Sequence, residues 1–205
     1  MSAKGKILER EALGRLTAAG FGHAAMHLGM KGTQYRPSDP MAPMASAYAA
    51  PIVAFDSQAR FGFVAPAGWG VPMRFALMDT SDVLAGDILV CGADTYFVAR
   101  VEDFRPPLSV LCNRVVTVSN VSGSVGNILV GCPASIEMKG RGESAQSGMP
   151  GSLRPGQFVL LLPPVPEVAL QPYMTVTTDL GTSYTVNAVE TSSYGFRCVI
   201  SMQQV

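Results

Sequence analysis

The stretch Thr95-Tyr96-Phe97-Val98-Ala99-Arg100-Val101-Glu102 decides the fold, because it comes back later in the chain as Ser183-Tyr184-Thr185-Val186-Asn187-Ala188-Val189-Glu190. Tyr, Val, Val and Glu recur at one offset, 88 residues (184 − 96). Aromatic and β-branched residues at period two mark strands buried on one face. Another strand-like run and a turn precede each block. These are Asp87-Ile88-Leu89-Val90-Cys91-Gly92-Ala93-Asp94 and Thr175-Val176-Thr177-Thr178-Asp179-Leu180-Gly181. A cysteine follows each block, Cys112 and Cys198, with a slip of two residues between them. The shared unit is strand, turn, strand, loop, strand, which is a meander. Two meanders predict a scaffold rather than a fold built around one reactive cleft. Internal duplication and a chance likeness of two hairpins both fit this match.

The 205 residues suit one large or two small domains. Apolar residues make up 48% and charged residues only 15%, below the usual quarter. So few charges would leave apolar surface facing water on a monomer. This points to an assembly component. Residues 1–36 carry Lys4, Lys6, Arg10, Arg15, Lys31 and Arg36 against Glu9 and Glu11, a net of +4, and the remainder balances it at −4. A basic arm on an acidic body fits docking onto a like neighbour, or a plain solvated helix face. No dense Lys/Arg run suggests a dedicated nucleic-acid site.

The basic start runs into Ile7-Leu8-Glu9-Arg10-Glu11 rather than an apolar signal segment, and no run reaches the ~20 apolar residues of a membrane span. The chain is therefore expected to be made in the cytoplasm, with no membrane partner. The four cysteines are too far apart for a zinc site and are expected as buried thiols on strands.

Ile7, Leu8, Leu13, Leu16 and Ala19 predict a helix from near Lys4, broken at Gly20 and Gly22, with a second short helix from Gly22 to Leu28. Prolines at 37, 40, 43 and 51 predict an extended, Met-rich connector lying on a surface or reaching a neighbour. The domain reading is a helical arm and Pro/Met connector over 1–51, a first β lobe over 52–138, a flexible loop over 139–152, and a C-terminal β segment over 153–205 completing a second lobe. Ile52 to Phe55 and Phe61 to Val64 read as strands. The fold class is mainly β: two small barrels or sandwiches, loosely repeated, behind an N-terminal helical arm.

Chemistry finds little purchase. His23 and His27 stand four apart on the helix, a spacing for two metal ligands, but they are the only histidines and no third ligand accompanies them. Gly123, Gly126 and Gly131 form no dinucleotide loop, because the run from Gly123 leads into the strand Asn127 to Val130 rather than opening a helix. Glu102 and Asp103 are adjacent on a strand-like stretch and point opposite ways. No catalytic residue, cofactor or metal is nominated, and the reading is not an enzyme. The methionines suit either adaptable contact surface or gap-filling core.

Several segments together resemble tailed-bacteriophage structural proteins of the neck, or head–tail joining, type. They are Ala24-Ala25-Met26-His27-Leu28-Gly29 with Tyr35-Arg36-Pro37; Gly86-Asp87-Ile88-Leu89 with Tyr96-Phe97-Val98; Arg105-Pro106-Pro107-Leu108 with Cys112-Asn113-Arg114; Cys132-Pro133-Ala134-Ser135-Ile136 with Gly140-Arg141-Gly142-Glu143; and Leu161-Leu162-Pro163 with Asp179-Leu180-Gly181-Thr182-Ser183-Tyr184. The chain departs from the usual single short barrel by its arm and its second meander. The resemblance implies a virion protein that forms a six- or twelve-fold ring between portal and tail components, with non-specific contact to packaged DNA. A tail tube, hub or capsid decoration protein is the nearest alternative, and a β-rich carbohydrate- or receptor-binding module is one from another class. Lys4, Lys6, Arg10, Arg15, Tyr35, Arg36, Lys139, Arg141 and Glu143 are the expected assembly contacts.

Overall fold

Among the described residues a single helix precedes fourteen strands, so the chain is mainly β behind an N-terminal helix. The computed structural model describes residues 3–56, 72–121, 126–138 and 157–203, with side chains from Arg10 onward. The strand expected at Phe61 to Val64 and the loop expected over 139–152 fall outside the described residues.

The helix α1 (Ala3–Leu28) runs unbroken for 26 residues. The break expected at Gly20 and Gly22 does not occur. A glycine costs a helix interior only about 1 kcal/mol against alanine, and the surrounding Ala, Leu, Arg and Lys residues outweigh that. The helix stops at Gly29, whose N–H donates to Ala25 O at 2.8 Å.

The first lobe holds β1 (Met30–Lys31), β2 (Thr33–Tyr35), β3 (Ala47–Ala49), β4 (Ile52–Asp56), β5 (Met73–Met78), β6 (Ile88–Cys91), β7 (Asp94–Arg100) and β8 (Leu108–Cys112). They form one antiparallel sheet in the order β1-β4-β5-β8-β7-β6-β2-β3. Both outer pairs are halves of longer stretches. In 30–35 and 47–56, Met30 lies opposite Val53 and Gln34 opposite Ala49, and Gly32 N–H donates to Pro51 O at 2.8 Å between them. Because β2 also pairs with β6, this hairpin draws the two sides of a half-barrel together. The stretch expected as an extended connector, lying on a surface or reaching a neighbour, therefore folds back at both its ends into its own lobe.

The second lobe is a closed barrel of β9 (Arg114–Ser119), β10 (Asn127–Met138), β11 (Gln157–Leu162), β12 (Thr175–Thr178), β13 (Ser183–Ser192) and β14 (Gly195–Met202), ordered β10-β11-β14-β13-β12-β9. Its first two strands lie within the span expected for the first lobe. The first lobe thus runs from Met30 to Cys112, not over 52–138.

The repeat extends beyond the meanders. Taking 30–35 and 47–56 as single strands, the half-barrel has six. Numbered along the chain, they follow the cyclic order 1-2-3-6-5-4, and the six barrel strands follow the same order. In both lobes the fifth strand slips register against the sixth at the same place, after Val98 in β7 and after Val186 in β13. Tyr96 and Val98 point into one core, and Tyr184 and Val186 into the other. The cysteines do not correspond. Leu111 lies opposite Tyr96 and Met202 opposite Tyr184, so Cys112 is the counterpart of Gln203 rather than of Cys198.

The two lobes meet through the outer face of the half-barrel. The cross-strand row Ile88, Phe97, Val110, with Ala99, packs on Leu161 of the barrel. Asn113 is the one residue between β8 and β9. Its Nδ2 donates to Ile136 O and its Oδ1 accepts from Ile136 N–H, both at 2.9 Å, which ties the lobes at their junction. The matching outer row of the barrel is Thr175, Thr185, Ser201, with Asn187 at the bulge. It is polar throughout, and Gln203 Nε2 donates to Thr185 Oγ1 at 2.9 Å and Thr175 Oγ1 at 3.3 Å.

Candidate assembly surfaces

Helix α1 seats on β4 and β5 through Phe21, Ala24 and Ala25, which pack on Ala54 and Leu77. Gly14, Thr17 and Ala18 are half-buried and continue this stripe toward the N-terminus. Leu13 and Leu16 point away from the body and are 56% and 71% exposed. A surface helix ordinarily turns its large apolar residues to the core and its small or polar ones to water. Around residues 13–18 the order is reversed, while Phe21 further on follows it.

Beyond that seat the helix is held by the loop 101–107. Arg10 Nη2 donates to Asp103 Oδ2 at 2.6 Å, and its guanidinium carbon lies 5.8 Å from the centre of the Phe104 ring. Both charged groups are largely exposed, so the pair adds at most about 1 kcal/mol. The matching connection in the barrel is the two-residue turn Ser193-Tyr194 between β13 and β14. The longer loop is thus special to the first lobe, and Asp103 and Phe104 within it meet the helix. Beside the helix lies a groove of about 530 Å³, lined by Gly14, Ala18 and Phe21 on α1 and by Val83, Val101 and Pro107 across from it.

The expected contacts have varied positions. Lys4 and Lys6 lie on α1, their side chains outside the described set. Arg10 is engaged with Asp103, and Arg15 is exposed. Lys139, Arg141 and Glu143 lie outside the described residues. Tyr35 is half-buried and packs against the inter-lobe cluster. Arg36 turns inward: its Nε and Nη2 donate to Asp87 at 2.9 and 3.0 Å, and Nη2 also reaches Asp82 Oδ1 at 3.0 Å. Its guanidinium carbon lies 3.9 Å from the centre of the Tyr48 ring, whose hydroxyl donates to Asp82. Arg36 and Tyr35 therefore hold 30–49 onto their own lobe. The sequence reading missed the exposure of Leu13 and Leu16, and Asp87 and Asp103 as the partners of Arg36 and Arg10. Composition held the first signal, since leucines on a basic arm are large apolar groups without an assigned cover.

The hydrogen bond from Tyr48 and the guanidinium of Arg36 hold the Asp82 carboxyl below the ordinary aspartate range. The same bond raises the Tyr48 phenol. A carboxylate with a depressed folded value contributes stability above its unfolded value and loses it as pH falls through the folded one. Carbon-13 titration should find Asp82 ionising at lower pH than a free aspartate. Tyr48→Phe should move that midpoint upward; an unmoved midpoint would discount the phenol.

All four cysteines are free and lie on strands. Burial pushes the Cys91 thiol up to about 11, with Asp94 adding to it, and pushes Cys132 and Cys198 up to about 12. Burial, then neighbouring Cys132, raises Cys112 further still. Thiolates are the reactive species. Near neutral pH a colorimetric disulfide reagent should label the native chain negligibly and all four thiols after denaturation. Fast labelling of the native form would contradict the packing. His23 and His27 are exposed on α1, ring centres 4.7 Å apart, and among the described residues no three His, Cys, Asp or Glu groups form a metal cage.

In comparisons with known proteins, no family model, curated protein or solved structure matches this chain.

Proposed function

We propose that the chain is a structural subunit of a tailed-bacteriophage virion that forms a ring in the neck between portal and tail. The observation that carries the reading is the N-terminal part of α1, which exposes Leu13 and Leu16 while Gly14 and Ala18 turn toward its own lobe. Exposed leucines on a helix are stabilised by a cover that a lone copy lacks, and each adds about 1.5–3 kcal/mol when fully buried. Two lobes tied at Asn113 suit a stiff, load-bearing part. The station in the neck, the portal and tail neighbours, and the contact with packaged DNA come from the sequence resemblance.

The test removes residues 1–28. A cut at 36 would take away β1, β2 and the Arg36 contact with Asp87, and so damage the first lobe itself. Without α1 the helical circular-dichroism signal should go while the β signal and a cooperative unfolding transition remain. Phage complemented with it should yield heads without attached tails, or particles that lose DNA. Normal tailed particles from the truncated chain would overturn the reading.

A further inference from the structure

We infer that the groove beside α1 receives the Leu13 and Leu16 face of α1 from a second copy, so that copies join head to tail. The inference rests on the ring reading above and names the contact that would close the ring. At about 100° per residue, Leu13 and Leu16 lie roughly a third of a turn from the stripe of Gly14, Ala18 and Phe21 that lines the groove. One helix therefore carries both halves of the contact on separate faces. Each copy can offer leucines to one neighbour and its groove to another. Such a heterologous contact, repeated about an axis, closes a ring.

The groove suits this occupant. It runs along the helix and is floored by apolar and small side chains, and its far wall is Val83, Val101 and Pro107. The copy's own leucines face elsewhere and leave it open. Charge agrees: the incoming arm belongs to the segment with net +4, and the receiving body carries −4. The groove lining itself carries Glu11, Glu102 and Asp103 against Arg10 and Arg105, a net of −1 (three acids, two bases), with Asp103 paired to Arg10 and Glu102 to Arg105.

Two measurements test it on the full chain. In the first, Leu16→Cys and Val101→Cys are made in separate chains, mixed and mildly oxidised. Both parent side chains are exposed, and the native thiols are sheltered. A disulfide between the two variants is expected. Linkage of Leu16→Cys chains only to one another would overturn the inference in favour of a two-fold helix pair. No link at all would also overturn it. In the second, Leu13→Asp with Leu16→Asp should weaken self-association roughly 100-fold by sedimentation, with the monomer spectrum unchanged, because two apolar anchors are lost. Association unchanged by this pair overturns the inference and leaves the ring reading in place. Normal tailed particles without residues 1–28 would remove that reading itself.

Discussion

Gly195→Ala should cost roughly 4 kcal/mol or more, enough to prevent the barrel from closing in a fold of ordinary stability. Gly195 opens β14, opposite Ser192. Its φ is 117°, a conformation that side chains other than glycine's rarely adopt, and a Cβ there would lie 2.2 Å from Leu162 O and 3.1 Å from Pro164 N. Those atoms are backbone, so no rotamer change relieves the clash. Moving β14 away from Leu162 breaks its pairing with β11, which joins the two halves of the barrel. Urea unfolding should show the loss, or the variant should be recovered only as insoluble protein. Gly20→Ala is the control: a Cβ there meets nothing within 4 Å, and the helix should gain up to about 1 kcal/mol. If both substitutions behaved alike, the close packing at the β14 turn would be wrong.

Asp87→Ala should destabilise the first lobe by about 3–5 kcal/mol. The Asp87 carboxylate is 1% exposed and accepts from Gln34 Nε2 at 2.7 Å, from Leu84 N–H at 2.9 Å and from two nitrogens of Arg36. Alanine takes away the buried acceptor of Leu84 N–H and of Arg36 Nε, and leaves Gln34 Nε2 and Arg36 Nη2 only Asp82, at 3.0 Å each, the latter through a carboxylate that is mostly exposed. Hydrogen exchange should then rise first in 30–49, the hairpin this carboxylate fastens. Arg36→Met added to Asp87→Ala should recover part of the loss, because the guanidinium left with the exposed Asp82 as its one carboxylate partner goes with it. A double variant no better than the single would place the damage in packing rather than in the half-paired cation.

These positions mark what sequence discloses. The meander strands were legible because Tyr96, Val98, Tyr184 and Val186 alternate with outward residues and face two cores. The closing of the half-barrel was hidden: it depends on Met30 meeting Val53 and Gln34 meeting Ala49 across a proline-rich stretch that locally favours extended chain. Arg36 looked like a reaching cation because Asp87 is 51 positions away in the chain. The helix survived its glycines because neighbouring residues outweigh a small penalty. Its leucine spacing announced a stripe, yet periodicity does not say which side meets the body. Tertiary contact at Ala25, Ala54 and Leu77 decides that.

The matched lobes also explain why the tandem has two units. Val110 lies opposite Met73 and Ser201 opposite Gln157; four residues onward in each third strand stand Leu77 and Leu161, which are therefore counterparts. Leu161 is roofed by the preceding lobe and Leu77 by α1. At the opposite terminus of the pile, Thr175, Thr185 and Ser201 replace Ile88, Phe97 and Val110, and stripping water from such hydroxyls without new partners costs about 1–3 kcal/mol each. Both free ends are thus sealed, one by a helical lid and one by hydration, and end-on growth into a fibre is discouraged at each.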